Sequence, residues 1–95
     1  MTGRLEQLRD TIERRYDCKA EHVDSVRVTE MIGFKKTWQG VVEVFEITDH
    51  PEAKRCYTWR SFAGSEPEYV AILEIPPVTS AQTAVRAAIA TGQQT

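Results

Sequence analysis

The sequence lacks any apolar run long enough to form a signal peptide or a membrane span. Met1 to Glu6 mixes apolar with charged residues, and no later stretch reaches the roughly 18 apolar residues that suggest a transmembrane helix. Cysteine is also scarce, since Cys18 and Cys56 are the only two and lie too far apart for a Cys-x-x-Cys motif. We therefore expect a cytoplasmic protein with two reduced thiols.

The chain also lacks an excess of one charge. Twelve basic and fourteen acidic residues give a formal net charge of −2, so no global positive field would draw the protein to nucleic acid or to an anionic membrane. Its 95 residues, of which 41% are hydrophobic, suit one compact domain. We predict a single α+β domain over residues 1–95 with a frayed tail at about 93–95, no cofactor and no membrane association.

Two segments have the apolar spacing of amphipathic helices. From Leu5 to Tyr16 apolar residues recur every three or four positions, which predicts a helix that Thr2 caps and that ends near residue 17. A second helix follows the double proline at 76 and 77. Its start fits a capping box formed by Thr79 and Gln82, and its buried stripe is rich in alanine.

Between these helices, apolar and β-branched residues form four extended runs. The runs cover about residues 22–34, 41–48, 54–62 and 69–75, and polar turns separate them, the first at residues 35–40. Short links between consecutive strands favour a meander. The sequence therefore predicts the fold α-β-β-β-β-α, with an antiparallel meander sheet packed against two terminal helices.

The alternation divides the predicted sheet into two faces. One is expected to form the core beneath both helices; its residues are Val26, Val28, Ile32, Phe34, Val41, Phe45, Ile47 and Cys56. The other is expected to lack cover; its residues are Met31, Val42, Val44, Tyr57 and Trp59. A monomer rarely exposes so large an apolar patch, which indicates a protein-interaction module, most simply a homodimer. The alternatives are that one helix crosses this second face, or that Trp59 and Tyr57 cover each other as ordinary half-exposed residues of a sheet.

A second hypothesis is nucleic-acid binding, because cations and aromatic rings are interleaved in two segments. Such a mixture suits contacts with phosphates and bases; the residues are Lys35, Lys36, Trp38, Arg55 and Arg60. Ordinary alternation along a strand produces the same pattern, and the acidic residues nearby weaken the local field. Nucleic acid is therefore the less favoured partner.

A small enzyme is the third hypothesis. Glu30 and Glu43 are expected on the core face, where they could serve acid–base chemistry or form a satisfied ion pair, with Arg60 as a partner for Glu43. His22 and His50 have no second ligand at metal-binding spacing. We predict no catalytic residue and no metal site.

The order of elements resembles the double-stranded-RNA-binding fold, particularly where the alanine-rich last helix contains Ala84–Ile89. Proteins of that family place a lysine pair at the start of this helix, whereas residues 80–83 are uncharged here, and Pro76–Pro77 replaces the family's glycine-rich entry. The resemblance implies a shared architecture and gives little support for RNA binding. The run from Trp38 through Arg60 to the helix after Pro76–Pro77 is also similar to small uncharacterised bacterial proteins, which implies no activity.

Overall fold

A computed structural model of the chain describes residues 3–32, 35–61 and 68–90. In chain order the elements are α1 (Arg4–Tyr16), β1 (Lys19–Ile32), β2 (Lys35–Thr48), β3 (Arg55–Ser61), β4 (Glu68–Leu73) and α2 (Ala81–Ala90). The strands form one antiparallel sheet in the order β1-β2-β3-β4, so the predicted α-β-β-β-β-α fold is confirmed. No helix in the described ranges is long and apolar enough to cross a bilayer. The predicted tail at 93–95 lies outside the described residues, as do Thr2 and Phe34.

The β1–β2 hairpin is longer than the sequence predicts. β1 begins at Lys19 and β2 at Lys35, so the first strand starts earlier than the expected start at about residue 22, and the turn expected at residues 35–40 is wrong. The added residues 19–21 and 35–40 are mostly polar, because an antiparallel hairpin can leave one face in water. The pairing also shifts register between His22 and Asp24. Beyond such a bulge, odd-numbered residues lie on the face that even-numbered residues occupied before it. Strict alternation along the sequence does not predict this change of face.

The two helices cover opposite faces of the sheet, which we name the α1 face and the α2 face. The core on the α1 face is formed by Leu8, Ile12, Cys18, Phe45, Ile47, Ala53, Cys56 and Ala71. The core on the α2 face contains the buried sheet residues Val28, Val42, Val44, Tyr57, Trp59 and Val70 beneath the alanine stripe of the helix. The expectation that both helices share one face is wrong, because the strands carry apolar residues on both sides and each side needs cover.

The helix ends also differ from the sequence predictions. Gly3, not Thr2, occupies the N-cap position of α1, and Asp17 ends the helix in the left-handed conformation with φ of 51°. At α2 the capping box is formed by Ser80 and Thr83. The Thr83 N–H donates to the Ser80 hydroxyl, and the Ser80 N–H donates to the Thr83 hydroxyl at 2.9 Å. The one-residue shift leaves Gln82 available for a contact with β1.

A tryptophan pair lies where the two hairpins separate. In the described ranges, β2 pairs with β3 only from Glu43 and Thr58 to Glu46 and Arg55. Beyond that point Trp38 packs edge to face against Trp59, with 5.5 Å between the ring centroids. The Trp38 indole lies over Gly40, where an added Cβ would stand 3.0 Å from the ring. Glycine at position 40 thus makes room for the indole.

Gly40→Ala is expected to lower the free energy of unfolding by about 1–3 kcal/mol, the usual cost of forcing extra volume into a packed site. Urea denaturation followed by circular dichroism measures the change. In a Trp38→Ala background the same substitution should cost much less, because the ring that it displaces is gone. An equal cost in both backgrounds would show that contact with Trp38 is not the reason for glycine.

Candidate functional site

α2 covers four of the five residues predicted to form an open contact face. Those four are buried: Val42, Val44, Tyr57 and Trp59. Trp59 is only 1% exposed, whereas Met31, the fifth, is 53% exposed near the end of the hairpin. The prediction that this face lacks cover is wrong, because α2 crosses it, which is one of the two alternatives given above. The face is part of the core, and a binding surface has to be found elsewhere.

The basic and aromatic residues do not form one described surface. Trp38 packs against the α2-face core, and Arg55 extends from the same face. Arg60 lies on the α1 face, since it follows Cys56 and Thr58 at every second position of β3. Lys35 and Lys36 belong to β2 by their backbone, and their side chains lie outside the described part of the structure. The described members of this set therefore point to opposite sides of the sheet.

An open groove of about 470 Å³ lies on the α2 face, between β1 and the start of α2. Its floor is apolar and is formed by Val26, Val28 and Val44, with Tyr57 at one side. Its rim is polar, with Asp24, Arg27, Arg55, Thr79, Ser80 and Gln82. An apolar floor with a few polar groups around it is the usual composition of a ligand site, and the volume lies in the usual range.

The groove is locally positive although the whole chain is negative. Among the residues that line it, Arg27 and Arg55 are the cations and Asp24 is the anion, so they carry a net charge of +1 against −2 for the sequence. Arg27 contributes from the edge strand, where its side chain starts on the face opposite the valine floor. The first turn of α2, which forms one wall, contains no acidic residue, so the partial positive charge of the helix N-terminus adds to the field. Arg27 is exposed and forms no ion pair with another described residue.

Tyr57 supplies the groove with a hydroxyl that stays protonated. The hydroxyl donates a hydrogen bond to the Glu74 carboxylate. Burial, reinforced by Glu74, raises the pKa of Tyr57 to about 12, although the positive charge of Arg55 acts in the opposite direction. At neutral pH Tyr57 is therefore a neutral group that cannot act as a general base.

The wall between α2 and β1 is held by Glu30. Its carboxylate accepts hydrogen bonds from the Gln82 amide and from Arg86 Nε, the latter at 2.7 Å, and the Gln82 amide also donates to the Thr29 carbonyl at 3.1 Å. The hydrogen bond from Arg86, followed by that from Gln82, lowers the pKa of Glu30. This clamp fixes the start of α2 over the edge strand.

Glu30→Gln is expected to lower the free energy of unfolding at pH 7 by about 0.5–1 kcal/mol, as for other partly exposed ion pairs. Because the folded-state pKa of Glu30 is lowered, its stabilising effect is present above the ordinary glutamate pKa of about 4.3 and is lost as the pH falls through the folded value. Denaturation at a series of pH values should show the wild type and variant converging in acid. Glu52→Gln, at an exposed position, is the matched control and should change the free energy of unfolding at pH 7 by no more than about 0.5 kcal/mol.

Glu43 forms a second polar cluster, on the α1 face. Its side chain is buried, with 2% exposure for the residue. His22 Nε2 lies 3.0 Å from its carboxylate, and the Ser25 hydroxyl donates to the same oxygen atom. The His22 ring packs edge to face against Phe45 at 5.3 Å. Arg60, the predicted partner, lies on this face too, two residues beyond Thr58, which is paired with Glu43.

The arrangement of this cluster is structural. His22 Nε2 faces both the Glu43 carboxylate and the Ser25 hydroxyl, which is 3.2 Å away, whereas a serine–histidine–carboxylate relay uses one ring nitrogen for each partner. Glu30 lies on the opposite face, so the two glutamates do not form a carboxylate pair. Sequence reasoning missed the cluster because residues three apart on a strand normally face opposite sides, and the bulge after His22 brings Ser25 to the same side.

The other chemically active side chains have structural surroundings. Cys18 and Cys56 are free thiols in the α1-face core, and burial raises the pKa of both, to about 12 for Cys56. His50 Nδ1 accepts hydrogen bonds from the N–H groups of Glu52 and Ala53 in the turn before β3. The described ranges contain no group of three or more acidic, histidine or cysteine side chains that could hold a metal ion.

The groove between β1 and α2 is the described surface that best suits a ligand. A second described cavity, beside the start of α2 and Pro77, is smaller at about 310 Å³ and is lined mainly by apolar groups. The groove combines the larger volume with charged and hydroxyl-bearing residues from β1, β3 and the start of α2. No protein-family model, curated protein or solved structure matches the chain.

Proposed function

We propose that this protein is a non-catalytic interaction module that binds an extended, acidic segment of a partner protein in the groove between β1 and α2. The observation that carries the proposal is the groove itself, with its apolar floor and its net positive lining in a chain of net negative charge. Self-association through the tryptophan face is not part of the proposal, because α2 occupies that face.

The shape of the groove supports an extended ligand. One wall is an edge strand, whose direction a bound segment can follow, and the floor presents Val26, Val28 and Val44 in two neighbouring strands. In an extended segment every second side chain points to the same side. Small apolar side chains at alternate positions would therefore meet this valine floor, as in other sites that recognise extended peptides.

The charges of the rim favour acidic side chains in the ligand. Arg55 on β3 lies on the same face of the sheet as the groove. Arg27 lies between the floor residues Val26 and Val28 on the edge strand, so its side chain starts on the other face, where it can meet the alternate side chains of a segment that follows the edge. Guanidinium groups bind carboxylates with directed hydrogen bonds. The Asp24 carboxylate is already engaged, since it accepts a hydrogen bond from the Ser25 N–H at 2.8 Å, which reduces its repulsion of an acidic ligand.

Fluorescence anisotropy with two labelled heptapeptides tests the proposal. One peptide alternates valine with aspartate and the other alternates valine with lysine. We expect binding of the acidic peptide only, weakened about tenfold, or 1.4 kcal/mol, by Arg27→Glu. Arg9→Glu, a charge reversal on the exposed side of α1, is the matched control and should leave the affinity unchanged. Equal binding of both peptides, or no binding at millimolar concentration, would reject the proposed function.

A further inference from the structure

The outer edge of β1 has side chains bonded to several of its backbone groups. β1 is the first strand of the sheet and pairs with β2 on one side. Along its length the Glu13 carboxylate accepts a hydrogen bond from the Ala20 N–H at 2.9 Å, Asp24 accepts one from the Ser25 N–H, and Gln82 donates one to the Thr29 carbonyl. Caps of this kind block pairing with a foreign strand.

Between the last two caps lies a short segment whose edge is open. Backbone groups of an edge strand point alternately toward the neighbouring strand and away from it. The side-chain bonds at Ser25 and Thr29 show that these residues point away from β2, so Arg27, midway between them, does so as well. All three residues are exposed. Among the described residues, the backbone of Arg27 makes no hydrogen bond outside the ladder with β2.

Four consecutive backbone groups are therefore open to a ligand: the Ser25 carbonyl, the N–H and carbonyl of Arg27, and the Thr29 N–H. The Asp24 cap closes one end of this window and the Gln82 cap closes the other. The window lies beside the groove, because Val26 and Val28, which alternate with these residues, form its floor. A strand placed against the window would direct every second side chain over those valines.

We propose that the bound segment adds to β1 as a short fifth strand, with main-chain hydrogen bonds confined to Ser25–Thr29. This inference rests on the proposed function and defines how the ligand is held. The main-chain bonds give affinity without regard to sequence, and the valine floor and the arginines select the side chains. The caps limit the ladder to this window and thereby oppose continuous edge-to-edge pairing of two copies of the chain.

Backbone methylation of the acidic heptapeptide tests the mode of binding. Two versions are made, one N-methylated at its odd residues and one at its even residues, each at two positions. Only one set of amides points toward β1, so one version should bind at least tenfold more weakly than the other. Amide hydrogen exchange should also show that Arg27 and Thr29 become protected when the unmodified peptide binds, while the N–H of Ala20, which is already capped, does not change.

The outcomes separate this inference from the proposed function. If the unmodified peptide binds and Arg27→Glu weakens it, but both methylated versions bind equally well, the ligand is held by side chains and strand addition is wrong. If the unmodified peptide does not bind, the proposed function itself fails. If light scattering shows a peptide-free dimer in which the Arg27 amide is already protected, a second copy of the chain occupies the edge, which also contradicts the inference.

Discussion

Replacing Trp59 with alanine is expected to lower the free energy of unfolding by about 3–5 kcal/mol, the usual cost of removing a large buried aromatic side chain. Trp59 is 1% exposed, lies in the core beneath α2 and packs against Trp38. The substitution leaves a cavity between the sheet and the helix that the alanine stripe of α2 is too small to fill. Urea denaturation followed by circular dichroism and by the fluorescence of Trp38 measures the loss.

Met31→Ala is the matched control. Met31 belongs to the same predicted set but is 53% exposed, so its truncation should change stability by no more than about 0.5 kcal/mol. If both substitutions had similarly small effects, and Trp59→Ala converted a dimer into a folded monomer, the face would be an interface between chains and the cover by α2 would be wrong.

A second large effect is expected at the buried carboxylate. The double substitution His22→Ala and Ser25→Ala removes two partners of Glu43 and leaves a buried negative charge with fewer compensating groups. Leaving a buried polar group without a hydrogen-bond partner costs about 1–3 kcal/mol, and more for a charged group, so the loss of two partners should cost about 3 kcal/mol. The expected result is a loss of that size in the free energy of unfolding at pH 7.

Glu43→Gln separates charge from packing in this cluster. Glutamine has almost the same volume as glutamate but no charge, so in a Glu43→Gln background the loss of His22 and Ser25 should cost much less than in the wild type. The double-mutant comparison measures this coupling directly. Equal costs in the two backgrounds would show that the polar partners do not stabilise the charge of Glu43.

The order of elements could be predicted from the sequence because its signals are local. The apolar spacing of α1, the β-branched runs of the strands and the prolines before α2 each act within a few residues. Simple hairpin alternation also holds between the last three strands, where Phe45 pairs with Cys56 and Tyr57 pairs with Ile72. In this part of the sheet the links are short and the alternation is uninterrupted.

The assignment of faces could not be predicted because it depends on distant contacts. The register shift after His22 reverses the alternation along β1. Val26 and Val28 therefore lie with Val42 on the α2 face, and not with Phe45 on the α1 face. Both faces of the strands are apolar, and no local sequence signal indicates which helix covers which face. A helix that follows the last strand can return over either side of the sheet.

The groove has even less of a sequence signal. Its lining comes from β1, β2, β3 and the start of α2, and no motif connects these segments. Arg55 was predicted as a site residue, but as part of a nucleic-acid patch with Arg60, which lies on the opposite face. Arg27 and Gln82 acquire their roles only when α2 lies across the edge of β1.

A ¹H–¹⁵N NMR titration of the protein with the valine–aspartate heptapeptide tests directly whether the groove between β1 and α2 is the binding site. If the groove is the binding site, the shifted amides will belong to residues 24–29 of β1, to residues 55–57 of β3 and to residues 79–82 at the start of α2. Binding that shifts the amides on the α1 face around Glu43, or the exposed residues of α1, while leaving these three segments unchanged would contradict it.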